Sequence, residues 1–331
     1  MLVKGNLVCR DSAFMMYSNS ALFITFSLFE GFICIIGSIL NGIICLTFCK
    51  KPSLLTSQNI FVFSIIFSDL LMSSVAVPIS WVANILHRWP FGSTVCQIHA
   101  FLVLQLGLVT ITNLTAVNLE KYLTVSKSMV NSSFLSKRQT LLVIIALWMY
   151  SFVFSVSPLV GLSRYDREGL DVSCSIVWDT RSAKEHVYFG FLFFGCFIVP
   201  VCLILFCNLR LLLIMRQLRL QMFNFSGHIE RAARWHYRKE KKAIIRFFIM
   251  FLAFLVAFGP YAVVSTIAIT RGSSAIHPGV VSSTSVFAKT SCVCNSFIFI
   301  FCYKRLRKEV VQSLRFCKNS NIVYPFHEIP Y

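Results

Sequence analysis

Seven long apolar stretches are the feature that most restricts how this chain can fold. They cover approximately residues 20–48, 56–86, 97–124, 139–160, 187–214, 243–268 and 277–302. Each is long enough to cross a bilayer as a helix, which takes about 20 residues. The segments between them leave no room for a separate soluble domain. The sequence therefore predicts an all-α membrane protein, with a seven-transmembrane helix bundle over 20–302 in a single domain spanning 1–331.

Composition and charge agree with this class. Hydrophobic residues make up 56% of the chain and charged residues 13%, against about 45–50% and 25% in soluble domains. The net charge is +18, and most Lys and Arg residues follow spans 1, 3, 5 and 7. Because basic residues favour the cytosolic side, we expect residues 1–19 to be extracellular and 303–331 to be cytoplasmic. Topology explains the charge, so no nucleic-acid partner is expected.

Lys289 is an unusual residue for the middle of an apolar span. A charged side chain at mid-bilayer depth costs roughly 2.5–3.5 kcal/mol on insertion scales. The ammonium therefore needs a partner, a water-filled cavity or a covalent use, and a desolvated lysine amine can form a Schiff base with an aldehyde. The alternative is a lysine that extends to the membrane interface. An apolar run to Cys302 separates it from the basic residues after the span, which places it deep.

Two acidic residues also fall within predicted spans. Glu30 lies in span 1 and Asp69 in span 2, and intramembrane carboxylates are candidates for functional residues. Glu30 could instead lie near the outer interface and be hydrated. Asp69 could belong to an interhelical polar cluster with Asn41 and Asn295 that fixes helix packing.

Among the thirteen cysteines, Cys96 and Cys174 lie where the outer face of the helix bundle is predicted. Cys96 begins span 3, and Cys174 lies in the loop between spans 4 and 5. Both face an oxidising compartment, so we predict a disulfide bond that ties this loop to the bundle.

The segments predicted to face the cytosol are basic. Residues 209–246 carry ten Lys and Arg residues, which fit either topology alone or contact with an acidic cytosolic partner. After Lys304 a basic amphipathic stretch runs to Cys317. It predicts a short helix that lies on anionic membrane lipid, with Cys317 as a palmitoylation site.

The order and spacing of several residues resemble those of rhodopsin-like (class A) G-protein-coupled receptors. The shared residues are Asn41, Asp69, Cys96 with Cys174, Glu120-Lys121-Tyr122, Trp148, Pro200, Pro260 and Asn295. Within that class the chain resembles the animal opsins, as a divergent non-visual or invertebrate-type member. The opsin-like motifs are Phe287-Ala288-Lys289-Thr290-Ser291, Ser163-Arg164-Tyr165, Glu168-Gly169 and Ser173-Cys174-Ser175.

The resemblance implies that Lys289 binds retinal, in the 11-cis or all-trans form, as a protonated Schiff base. Photoisomerisation would then activate a heterotrimeric G protein at the plasma membrane, with arrestin as a second partner. Neither enzyme activity nor a metal site is implied. The resemblance also implies a pocket formed by Gly107, Ser173, Trp178, Phe254, Phe258, Tyr261 and Ser285, although ordinary aromatic packing could explain any one of the aromatic members.

A positively charged nitrogen in an apolar pocket needs a counter-charge to keep its proton. His99 occupies the span-3 position of the counterion in vertebrate visual opsins and cannot supply a negative charge. Glu168 matches the loop glutamate that many bistable opsins use, and we favour it on this basis. Glu30 is a rival that the family pattern does not predict, and an anion bound near His99 is a third possibility.

The residues that resemble the family's activation switch depart from its usual pattern. Lys121 replaces arginine after Glu120 and before Tyr122, which keeps the charge but loses the bidentate geometry. Glu240 occupies the position of the inactive-state partner of that residue, so a weaker ion pair is expected. Phe258 replaces tryptophan, Asn208 replaces tyrosine, and the segment after Asn295 lacks the usual proline and tyrosine. Two alternatives to a signalling photoreceptor stay open: a retinal photoisomerase with little signalling, and a chemosensory receptor without chromophore.

Overall fold

The computed structural model describes residues 2–127, 133–178, 182–221 and 227–319. The α-helices in these ranges are α1 (Leu2–Lys50), α2 (Ser57–Leu71), α3 (Val77–Ile85), α4 (Gly92–Lys127), α5 (Lys137–Val156), α6 (Ala183–Phe193), α7 (Val199–Gln221), α8 (Gly227–Arg271), α9 (Pro278–Ala288), α10 (Ser291–Cys302) and α11 (Lys304–Asn319). Two short strands, β1 (Tyr165–Glu168) and β2 (Ser173–Ile176), lie between α5 and α6.

Within the described residues, seven helical spans are long and apolar enough to cross a membrane, as predicted. They are Ser20–Lys50, Ser57–Ile85, Gly92–Lys127, Lys137–Val156, Ala183–Leu220, Ala233–Arg271 and Pro278–Cys302. Several helices extend past the predicted boundaries, and α1 already begins at Leu2. The reason is that hydropathy marks only the apolar part of a helix, whereas backbone hydrogen bonds continue into polar sequence.

Spans 2 and 5 each contain a π-helical turn that joins two α-helices. Met72–Ala76 joins α2 to α3, and Phe194–Ile198 joins α6 to α7. Pro78 and Pro200 follow closely. Because proline has no N–H and its ring crowds the carbonyl one turn earlier, a wider turn at this point relieves the clash. Pro200 therefore does not interrupt the span.

Helix α4 lies at the centre of the bundle, in contact with α2, α5, α7, α8 and both strands. Large apolar side chains cover the outside: Leu28, Phe191 and Val256 are 73%, 67% and 63% exposed. In water such faces would promote aggregation, whereas in a bilayer they contact lipid tails of similar polarity. This distribution is that of a multi-pass membrane protein.

Strands β1 and β2 form an antiparallel hairpin, with Tyr165 opposite Ile176 and Glu168 opposite Ser173. Gly169 and Asp171 adopt positive φ angles of 60° in the turn, a conformation that glycine and aspartate tolerate better than most residues. The prediction of helices alone missed this hairpin, because four-residue strands give too short an alternation of polar and apolar residues to recognise.

The predicted disulfide bond between Cys96 and Cys174 is confirmed, and it fixes β2 against the start of α4. Tyr165 also ties the hairpin down, since its hydroxyl donates a hydrogen bond to the Ser155 carbonyl at 2.6 Å. Burial raises the pKa of this phenol, which keeps it a donor. We call this end of the bundle the disulfide end, and the opposite end, where Lys121, Glu240 and Arg246 lie, the basic end.

The predicted short amphipathic helix after the last span is α11. Its residues Leu306 and Val310 are buried in the main apolar core, while Lys304 and Arg307 are exposed. The side chain of Cys317 lies outside the described residues, so its palmitoylation stays a prediction, as does lipid contact by this helix.

Candidate functional site

Lys289 lies where span 7 is interrupted, between the end of α9 and the start of α10. Its side chain is only 2% exposed and lies inside the bundle. The Nζ atom donates hydrogen bonds to Glu30 Oε1 at 2.7 Å and to Ser80 Oγ at 2.8 Å. The amine is thus held by helices α1 and α3.

Glu30 is completely buried on α1 and accepts hydrogen bonds from three residues. Besides Lys289, Ser80 Oγ donates to Oε1 at 2.8 Å and Asn84 Nδ2 donates to Oε2 at 2.7 Å. Both carboxylate oxygens therefore have donors. Glu30 is not hydrated at the interface, which was the alternative that its position in the sequence allowed.

The contact between α1 and α3 depends on Gly31. A Cβ atom at this position would lie 3.0 Å from the indole ring of Trp81, so a larger residue would push the helices apart. The glycine lets Glu30 approach Ser80 and Asn84. Sequence reasoning missed these two polar residues, although their spacing of four within an apolar span places them on one helix face.

Glu168, at the end of β1, is buried and has different partners from Glu30. Ser285 Oγ donates to its Oε1 at 2.5 Å and Tyr261 Oη to its Oε2 at 3.1 Å. Trp178 Nε1 in turn donates to the Tyr261 hydroxyl at 3.2 Å. These bonds join the hairpin to α8 and α9, and in the structure Glu30 rather than Glu168 contacts the Lys289 nitrogen.

An apolar cavity lies beneath the hairpin, and both Lys289 and Glu168 reach its wall. Six of the predicted pocket residues line it: Gly107, Trp178, Phe254, Phe258, Tyr261 and Ser285. Phe193 and Phe197 also line it and were not predicted, because nothing distinguishes them from lipid-facing phenylalanines in sequence. Ser173 is not in the lining, and it lies opposite Glu168 in the strand pair.

Aromatic rings shape the middle of this cavity. Phe254 and Phe258 stack with ring centroids 4.5 Å apart. A Cβ atom on Gly107 would lie 3.6 Å from the Phe258 ring, in ordinary contact, so the glycine leaves a gap beside that ring. The cavity is therefore a narrow apolar space with one amine on its wall.

His99 is fully buried near the disulfide end, on α4. Neither ring nitrogen has a hydrogen-bond partner within the part of the chain that the structure describes. Its ring meets Trp89 edge-on, with centroids 5.5 Å apart. His99 is not part of the cavity lining.

At the middle of the bundle, Asn295 Nδ2 donates to Asp69 Oδ2 at 3.0 Å. Asn41 instead bonds to the Cys292 carbonyl at 3.1 Å and to Ser296. Both contacts run to α10, so α10 is joined to α1 and α2 by polar groups. Asp69 thus joins α2 to α10, which agrees with the alternative that it belongs to a polar cluster between helices.

The basic end contains the residues that resemble an activation switch. Lys121 on α4 forms an ion pair with Glu240 on α8, with side chains 3% and 13% exposed. Glu120 accepts a hydrogen bond from Thr124 at 3.1 Å, and Tyr122 packs edge-on against Phe206. The ion pair connects α4 to α8, as expected from its position.

Arg246 on α8 is a buried cation that sequence reasoning did not single out. Its guanidinium carbon lies 5.0, 5.2 and 4.8 Å from the ring centroids of Phe247, Phe299 and Tyr303. Cations over aromatic faces are attracted by the ring quadrupole. Arg246 therefore links α8 to α10 and to the residue before α11. Its isolation within an apolar run, Ile244 to Met250, could have marked it.

The comparisons with known proteins agree with this architecture. Residues 40–299 match the model of the family described as 7 transmembrane receptor (rhodopsin family). Melanopsin from Phodopus sungorus is 30% identical over 84% of this chain and 60% of its own length, and melanopsin from Rattus norvegicus is 28% identical over 84% and 59%. The chain thus spans about three fifths of these relatives.

Squid rhodopsin is similar in fold. Its crystal structure superposes with a TM-score of 0.83, at 23% identity, over 94% of this chain and 93% of that chain. The chain therefore belongs to the rhodopsin family of seven-transmembrane receptors, as a divergent animal opsin. The predicted class is confirmed.

Proposed function

We propose that this protein is a light-sensing G-protein-coupled receptor that binds retinal covalently as a Schiff base on Lys289. The observation that carries the proposal is a buried primary amine on the wall of an aromatic cavity. The relatives, melanopsins and a rhodopsin, are receptors rather than enzymes. We therefore assign no enzyme activity to this chain.

The cavity residues suit a long apolar aldehyde. Phe254, Phe258 and Trp178 offer flat surfaces to a polyene, and Lys289 offers the nucleophile. The amine nitrogen forms a C=N bond with the aldehyde carbon, and the carbonyl oxygen leaves as water. When bound, retinal supplies light absorption and a change of shape on isomerisation.

The walls of the cavity can pass such a change to the opposite end. Phe258 lies on α8, whose other end is held by the Lys121–Glu240 pair and by Arg246. A displacement of α8 would separate these contacts and open the cavity at the basic end, which is lined by Arg238, Lys242 and other basic residues. We propose that a heterotrimeric G protein binds there, with arrestin as a competing partner.

We propose an orientation in the plasma membrane to match. The basic end would face the cytosol, in keeping with the preference of Lys and Arg for that side. The disulfide end, with the Cys96–Cys174 bond, would face the oxidising exterior. The N-terminus would then be extracellular, the C-terminus cytoplasmic, and α11 would lie on anionic lipid.

The test is nucleotide exchange on purified G proteins of each class, in the dark and after illumination, with retinal-loaded full-length protein. We expect exchange in the light and none for the Lys289→Ala variant. Lys121 and the segment after Asn295, which depart from the family's activation switch, favour one alternative, a photoisomerase. If retinal isomerises in the light but no G protein class exchanges nucleotide, that alternative replaces signalling.

A further inference from the structure

We propose that Glu30, on the first helix, is the counterion of the retinal-bearing nitrogen of Lys289. This inference rests on the proposed function and names the residue that keeps the nitrogen charged. The Glu30–Lys289 contact at 2.7 Å joins two side chains that are 0% and 2% exposed. A buried ion pair of this kind needs both good geometry and further hydrogen bonds to offset desolvation.

The surroundings of Glu30 meet that requirement. Ser80 and Asn84 donate to its two oxygens at 2.8 and 2.7 Å, and hydrogen bonds to a carboxylate favour its charged form. These donors do not depend on Lys289. The negative charge is therefore stabilised in place before any chromophore arrives.

Formation of the Schiff base preserves the contact between the Lys289 nitrogen and the Glu30 carboxylate. A lysine ammonium has three N–H donors, and in the structure two hydrogen bonds run from it, to Glu30 and to Ser80. Once the nitrogen is joined to the retinal carbon by a double bond, the protonated Schiff base has one N–H left. Ser80 Oγ can continue to donate to Glu30, so the remaining N–H has the Glu30 carboxylate as its charged acceptor.

Other titratable groups near the amine fit the role less well. Glu168 lies on the cavity wall, where its two oxygens accept from Ser285 at 2.5 Å and Tyr261 at 3.1 Å, whereas the Lys289 nitrogen donates to Glu30 and Ser80. His99 carries no negative charge in any protonation state. The Cys292 thiol donates to the Lys289 carbonyl at 3.0 Å and points to the backbone.

The experiment compares absorption spectra of wild type, Glu30→Gln, Glu30→Asp and Glu168→Gln, each reconstituted with 11-cis-retinal at neutral pH. Borohydride reduction and mass spectrometry measure covalent adduct in the same samples, independently of the spectrum. We expect Glu30→Gln to form the adduct but to lose the visible band, which returns on acidification. Glu30→Asp keeps the charge and should keep a visible band, as should Glu168→Gln.

Two results would overturn the inference. A visible band that survives in Glu30→Gln and disappears in Glu168→Gln would assign the counterion to Glu168. A band that survives in both, and shifts when chloride is replaced by nitrate, would assign it to an exchangeable anion. Absence of any adduct in wild type is a different outcome, because it rejects the proposed function itself.

Glu30→Gln could fail to fold, since it leaves a buried ammonium without a charged partner. The decision then rests on Glu30→Asp against the matched variant Glu168→Asp. A shift of the absorption maximum in Glu30→Asp that exceeds the shift in Glu168→Asp supports the inference. A larger shift in Glu168→Asp contradicts it.

Discussion

The two ends of the helical bundle hold their buried charges in different ways. Near the disulfide end, Lys289 and Glu30 lie within 2.7 Å of each other, with hydrogen-bond donors on both carboxylate oxygens. At the basic end, Lys121 and Glu240 form a pair in the wall of a wide cavity that basic residues line, and Arg246 faces aromatic rings. The first arrangement holds the Lys289 amine in place. The second joins α8 to α4 and α10 through contacts that can separate.

This difference has an energetic basis. Removing one member of a fully buried pair leaves an uncompensated charge, which costs about 3–5 kcal/mol. A cation over an aromatic ring contributes ~0.5–2 kcal/mol. At Arg246, helix α8 therefore has a weaker attachment than the one that Glu30 gives to Lys289, beside the ion pair between Lys121 and Glu240. The predictions below test this contrast, from the largest expected effect to the smallest.

The largest effect should come from Glu30→Gln in the retinal-free protein. We expect the free energy of unfolding to fall by about 3–5 kcal/mol, because Lys289 loses its counter-charge. Adding Lys289→Met should recover most of this loss, since no charge is then left unpaired. Thermal unfolding in lipid nanodiscs measures both; equal stability of the single and double variants would show that the pair is not coupled.

Removal of the disulfide by Cys96→Ser with Cys174→Ser should cost ~2–4 kcal/mol. The hairpin would lose its covalent attachment to α4, so the roof of the cavity and Glu168 should become mobile. Hydrogen exchange of the hairpin amides should rise, while the amides around Lys121 stay protected. An equal rise in hydrogen exchange of the hairpin amides and of the amides around Lys121 would show that the two ends do not behave independently.

Gly31→Ala should lower stability by about 1–3 kcal/mol, because the new methyl group meets the Trp81 ring at 3.0 Å and overpacking carries a cost of this size. Gly190→Ala is the matched control: it is also helical, and a Cβ there meets nothing within 4 Å. The control should be neutral or stabilising by up to ~1 kcal/mol. Similar losses in both variants would argue against a close α1–α3 contact.

The smallest effect on stability should come from Arg246→Met, at ~1–2 kcal/mol, since the side chain loses its cation–π contacts but keeps its volume. Arg246→Met should affect signalling more strongly than stability, because α8 is released from Phe299 and Tyr303. We expect nucleotide exchange in the dark to rise. Arg238→Met removes an exposed cation from the same helix and is the control for stability. If it lowers the free energy of unfolding as much as Arg246→Met does, the aromatic rings have no specific role.

Much of the fold could be predicted from the sequence, but less of the site around Lys289 could. Apolar length predicts the spans, and the position of Lys289 far from basic flanks predicts its burial. Which acid contacts Lys289 could not be predicted, because Glu30 is 259 positions away and reaches it through tertiary packing, in which Gly31 lies close to Trp81. A family pattern favoured Glu168 for the same role. Spacing along one chain does not reveal which of two buried acids a lysine will contact.

The most direct test of retinal attachment is to locate the adduct. Full-length protein is incubated with 11-cis-retinal in the dark, reduced with borohydride and digested, and the modified peptide is identified by mass spectrometry. We predict a single retinyl group on Lys289, and none in Lys289→Ala. An unmodified Lys289, or modification only of an exposed lysine such as Lys184, would contradict a covalent chromophore at the buried amine.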